Sequence, residues 1–154
     1  MAFTTEEVAE AILKHILGNT AYTFPSGGVY LALLEKNPGT TVVSGKTLAE
    51  ASVGKEVTLA SYTRFHIEGT QQEFVKPASS GVEVEAKMPV AEQTLIATVS
   101  GAEVATVVAF ALCEKEKATE GGKVVGVGTV TSVEISKVHY PVKLPAKQVV
   151  IKLI

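Results

Sequence analysis

A chain of 154 residues with a net charge of −2 and 46% hydrophobic residues is long enough to bury a sizeable core, and it lacks the clustered basic face that nucleic acid demands. It contains no aspartate, no tryptophan, one cysteine (Cys113), three histidines and one arginine, Arg64. These scarcities weigh against hydrolases, NTPases and hard-metal sites, and a lone cysteine excludes an intrachain disulfide.

The first predicted element is a helix over residues 5–17. Thr4 is placed to cap it, with Glu7 three residues on completing a capping box, and Glu6, Glu7 and Glu10 sit near the positive end of its dipole. Val8, Ile12 and Ile16, flanked by Leu13 and Leu17, form one apolar stripe that is expected to cover the end of a sheet, and Gly18 ends the helix in a left-handed turn. From residue 20 onward the pattern is β. Residues 29–34 form a strand after the turn Pro25-Ser26-Gly27-Gly28, and Pro38-Gly39 marks the next turn. Residues 44–60 read either as a helical turn or as an excursion.

Residues 62–68 alternate as a strand, and residues 70–80 read as a loop. Residues 82–88 form a strand whose wet face carries Glu83, Glu85 and Lys87; residues 95–99 form the next. Residues 104–113 are apolar on both faces, which makes them a central strand. A charged turn ends at Gly121-Gly122, residues 124–135 are extended, His139-Tyr140-Pro141 leads into a further strand, and residues 149–153 close the chain. Turn signals at spacings of roughly ten residues fit a mainly β fold: one domain over 1–154, an antiparallel β-sandwich or barrel with one short N-terminal α-helix. The longest apolar run, residues 104–113, is about half of the ~20 residues that span a bilayer, and the first seven residues are acidic, unlike a signal peptide. No membrane role and synthesis in a cytoplasm are therefore expected.

Each motif has a plain explanation beside a functional one. Gly39, Gly45, Lys46 and Thr47 approximate a phosphate-binding loop, but five residues separate the glycines where that loop has four, and no aspartate exists to help hold magnesium. A nucleotide-binding enzyme built on residues 39–47 is kept only as a distant alternative. Gly126 and Gly128 share one face of a strand and permit close approach of another backbone, in the chain or in a second subunit. His15, His66 and His139 are far apart with no second cysteine to complete a zinc set; His15 suits the negative end of the helix dipole. Cys113 ends an apolar strand and reads as a buried, inert thiol. Arg64 is the one guanidinium in a lysine-using chain, so it points to a carboxylate or backbone site that requires a planar fork, in the chain or across an interface. No catalytic, cofactor-binding or metal-binding residue is assigned.

Asn19-Thr20-Ala21-Tyr22-Thr23, Val29-Tyr30-Leu31-Ala32-Leu33, Gly39, Ser44-Gly45 and Tyr62-Thr63-Arg64 together resemble the opening of small virion proteins of tailed bacteriophages, the tail-fibre-like or minor structural proteins. Residues 46–61 stand where the resembled proteins have almost no chain, as an inserted excursion that is itself a candidate partner-binding element. The lysine- and glutamate-rich, Asp-free composition also resembles that of thermophile proteins, through a hot habitat or through family drift. Within phage proteins, size, β-content and thermophile-like composition are similar to capsid decoration (cement) proteins of thermophilic long-tailed phages. The resemblance implies a non-enzymatic virion protein, made in the host cytoplasm, that sits on the capsid exterior as a homotrimer and clamps the major capsid protein. A tail or tail-tip, receptor-binding component is the alternative. Arg64, Tyr62, Gly126 and Gly128 are the candidate interface residues. The mean hydropathy of +0.28 fits apolar surface hidden between subunits, or a dense monomeric core.

Overall fold

The computed structural model describes residues 2–23, 25–42, 44–76 and 84–153. Within these, ten strands and one α-helix run in chain order: β1 (Ala2–Thr4), α1 (Glu6–Ile16), β2 (Gly28–Leu34), β3 (Phe65–Glu68), β4 (Glu73–Val75), β5 (Val84–Met88), β6 (Gln93–Ile96), β7 (Val104–Cys113), β8 (Val124–Ser136), β9 (Val142–Leu144) and β10 (Val149–Leu153). Eight strands form one sheet in the order β3-β2-β7-β8-β1-β10-β5-β4, and β6 pairs with β9 apart from it. Pairing is antiparallel throughout except between β1 and β10. The mainly β, antiparallel class with one N-terminal helix is therefore the class the chain adopts.

The core lies on both faces of β2 and β7, because both strands are apolar at odd and even positions. Leu31 and Leu33 of β2, with Phe110 and Leu112 of β7, build one cluster together with Ile67, Met88, Ile96, Ile135 and Val149. Ala32 and Leu34, with Ala109, Ala111 and Cys113, build a second on the opposite face with Val42, Leu48, Val124 and Val127. The expected central strand at residues 104–113 is thus found with its neighbours on either side.

Gly126 and Gly128 sit on the part of β8 that lies between β7 and β1. Gly126 is paired with Leu112 on one side and Thr4 on the other, and Gly128 with Phe110 and Ala2. Their close neighbours are β7 and β1 of the same chain. Only the three-residue β1 joins β8 to β10, so it is the seam between the halves of the sheet.

Several boundaries differ from expectation. Thr4 belongs to β1, so Thr5 caps the helix; its side chain makes no cap and instead donates to the carbonyl of Val124, which leaves the capping box unformed. Of the helix stripe only Val8 is buried; Leu13, Ile16 and Leu17 are exposed, because the helix docks through its first turns and its far end projects beyond the core. Gly18 does adopt the left-handed turn. Residues 70–80 contain the edge strand β4 rather than loop alone, and residues 77–83 lie outside the described residues. The 46–61 excursion is woven into the core: Leu48 enters the second cluster, and Val57 and Leu59 the first. The chain there runs beside the end of β2, where Glu35 and Lys36 donate their N–H groups to the carbonyls of Lys55 and Gly54.

Cys113 is fully buried, and that burial pushes its thiol up to about 12. It is expected to resist a thiol-specific reagent at pH 8 in the native protein and to react fully in urea; prompt native labelling would contradict its placement. Glu85 bridges β5 and β10 through Lys152 at 2.8 Å and also meets Lys87 at 3.3 Å. The hydrogen bond from Lys152, more than that from Lys87, holds its carboxyl below the usual carboxylate range. A depressed folded-state value stabilises above the ordinary range and loses that contribution as pH falls through it. The difference in urea midpoint between wild type and Glu85→Gln should therefore be largest near pH 7 and close below about pH 4.

Candidate functional site

The densest polar cluster is centred on Arg64, at the approach to β3. Its Nε donates to Glu56 Oε1 and its Nη2 to Glu56 Oε2, both at 2.8 Å, a bidentate fork on one carboxylate. Nη2 also reaches the carbonyl of Gly45 at 2.9 Å, and Nη1 that of Lys115 at 3.0 Å. The guanidinium therefore ties the excursion to the turn after β7. The same two pieces meet through the backbone, where Gly45 N–H donates to the Gly122 carbonyl at 2.9 Å. Tyr62 completes the cluster: its hydroxyl donates to Glu56 Oε1 at 2.9 Å and accepts the N–H of Leu33 at 3.1 Å.

Arg64 is only 5% exposed and Glu56 only 6%. Burial disfavours the guanidinium's charge, yet the hydrogen bonds and charge of Glu56 hold its affinity for a proton above the ordinary value. Burial, and then the neighbouring Glu56 carboxylate, push the Tyr62 hydroxyl well above its usual range. Arg64 therefore stays protonated and the Tyr62 hydroxyl un-ionised at neutral pH. The carboxylate that Arg64 was expected to require lies inside the chain, and the polar groups of Arg64 and Tyr62 are engaged with it. Glu56 carried no signal of its own among the many glutamates.

The other sequence motifs disperse. In the 39–47 loop, the Gly45 N–H is committed to Gly122, the Thr47 hydroxyl to the Ser44 carbonyl, and the Gly45 carbonyl to Arg64. The loop leads into a three-residue 3-10 helix, Thr47–Ala49, not a long helix with a free N-terminus. Among the described residues of this loop, the nest that would cradle a phosphate is therefore not formed.

The three histidines take separate partners. His15 lies in the last turn of the helix, as expected, and its Nδ1 accepts the N–H of Tyr22 at 3.0 Å. The ring of His66 stacks on Tyr30 with centroids 4.6 Å apart. His139 Nδ1 lies 3.2 Å from both Ser136 Oγ and Glu134 Oε1. A serine–histidine–carboxylate relay uses opposite ring nitrogens, whereas here both partners share one, so this triplet has the wrong geometry for it. Among the described residues, no group of three His, Cys, Asp or Glu side chains is placed to hold a metal, and no helix is long and apolar enough to cross a membrane.

Beside many exposed lysines and glutamates, the surface carries large apolar side chains. Leu13, Ile16 and Leu17 project from the helix, Phe74 from β4, and a group of valines with Tyr140 from the later part of β8 and the turn after it. This arrangement offers contact area rather than reactive chemistry. A model of the family described as Podophage GP4 fiber I protein gp80 matches residues 4–152. No curated protein matches the chain.

Removing one partner of a buried ion pair strands the other, so Arg64→Met and Glu56→Leu should each cost about 3–5 kcal/mol in urea unfolding. The double variant should recover part of that loss. Arg64→Lys keeps the charge but cannot span Glu56 and two carbonyls, and should still cost about 1–3 kcal/mol. Wild-type stability in Arg64→Lys would show that the fork geometry is dispensable.

Proposed function

We propose, since the chain belongs to the podophage GP4 fiber I protein gp80 family, that it is a structural subunit of the tail-fibre apparatus, acting through assembly rather than turnover. The observation that carries this reading is the family match over nearly the whole chain. Membership makes the chain a phage virion structural protein, and it favours a fibre location over the capsid exterior that the resemblance to decoration proteins implied. Neither the capsid-cement role nor a hot habitat draws support from the match.

The chemistry of the molecule accords with a structural role. Its one arginine and a buried glutamate are used to fasten loops, and its cysteine is sealed in the core. Its exposed side chains include large apolar groups suited to burial against other virion subunits. A fibre subunit repeated by symmetry gains holding strength from many modest contacts, each worth little alone. Homo-oligomerisation, expected from the sequence as a trimer, belongs to this proposal, with partners being other fibre or tail proteins.

Gold-labelled antibody against this chain, applied to purified virions, should decorate the tail-fibre region and leave the head surface bare. Uniform labelling of the head would return the capsid-decoration reading and overturn the fibre one.

A further inference from the structure

Exposed apolar side chains concentrate on the later part of β8 and the turn after it: Val130, Val133, Val138 and Tyr140. The register of β8 against β7 shifts between Val107 and Ala109, whose partners are Val133 and Thr129, so residues 130–132 bulge from the sheet as a ridge. A groove of about 460 Å³ runs beside it, walled by Phe110, Ile135, Leu144 and Val149 among others. A second, more open hollow of about 550 Å³ is lined by Val138, His139 and Tyr140. The two share Val133, Val142 and Lys143 as a common wall. A ridge and its grooves therefore lie side by side on one surface.

We propose that this ridge, with the hollows beside it, is the face on which copies of this chain pack against one another. The inference rests on the assembly reading above and names its surface. Three features favour a second copy as the occupant. First, area: the four side chains expose on the order of 350 Å², most of the roughly 450 Å² of apolar area that one partner contributes to a standard interface. Second, shape: adjacent ridge and groove let one copy's ridge enter its neighbour's groove, a contact that a symmetry axis can repeat. Third, charge: the face carries both signs, with Glu134 and Lys137 beside the pair of Lys143 with Glu92 at 3.1 Å. Such a face does not repel its own copy, and it offers little steering to a strongly acidic or basic partner.

Light scattering after size exclusion, at high micromolar concentration, tests the proposal on the full chain. Wild type should run at a multiple of the 16.1 kDa chain mass. Val133→Glu and Val138→Glu should each weaken association at least ten-fold, while Ile16→Glu on the helix should leave it unchanged. Val138 is 78% exposed in a turn, so its variant keeps the fold even if Val133→Glu, within β8, does not; circular dichroism melting checks both. Three results would overturn the proposal: a wild-type monomer, which would assign the face to a different protein; wild-type association in folded Val138→Glu; or dissociation by Ile16→Glu alone. Fibre location stands or falls separately. A self-associating chain absent from fibres sinks only the fibre location, and a fibre-located monomer sinks this face and the homo-oligomer part of that reading while the location stands.

Discussion

Arg64 has four acceptors within reach and almost no water: both oxygens of Glu56 and the carbonyls of Gly45 and Lys115. A buried carboxylate and a buried guanidinium are each costly alone, and the bidentate contact makes the pair tolerable. The two carbonyls belong to the excursion and to the turn after β7, segments 70 residues apart in sequence. The cluster thus sets where the excursion lies, and through it where Leu48, Val57 and Leu59 enter the core. Its net worth in stability is modest by the usual balance of desolvation against attraction; its main effect is to fix one arrangement of loops over others.

A sheet with both faces of its middle strands buried needs cover on both sides, and the chain draws that cover from irregular segments. On one face it comes from residues around Val42 and Leu48; on the other, from Val57, Leu59 and Val99, joined by Ile96 at the end of β6. Cover made of loops rather than helices explains the low helix content and the importance of loop fastening. It also leaves gaps, and the groove beside β8 is one of them. The scarce Arg64 and Cys113 lie inside, and this groove lies on the surface that the cover leaves open.

Strand periodicity in β2, β3, β7, β8 and β10 was legible because local alternation and apolar runs reflect burial directly. Arg64 was legible in part: a lone guanidinium implied a fork-shaped demand, but nothing local distinguished Glu56 as its answer. The seam strand was not legible, since three residues carry too little period and its partners lie more than a hundred residues away. With β1 hidden, the helix cap fell on Thr4 rather than on Thr5, one residue along. Residues 46–61 looked like an ornament because Leu48, Val57 and Leu59 obey no regular spacing, and only the tertiary fold reveals them as core. The exposed end of the helix misled in the opposite direction: its stripe is well formed, yet the sheet does not extend far enough to receive it.

The placement of β1 has a mechanical consequence. Its few ladder bonds run across the strand to β8 and β10, not along it. A pull on the chain end along the strand axis would strain those bonds together, whereas a pull from the side would open them one after another. The direction of tension, more than its size, would then decide whether the two halves of the sheet stay joined.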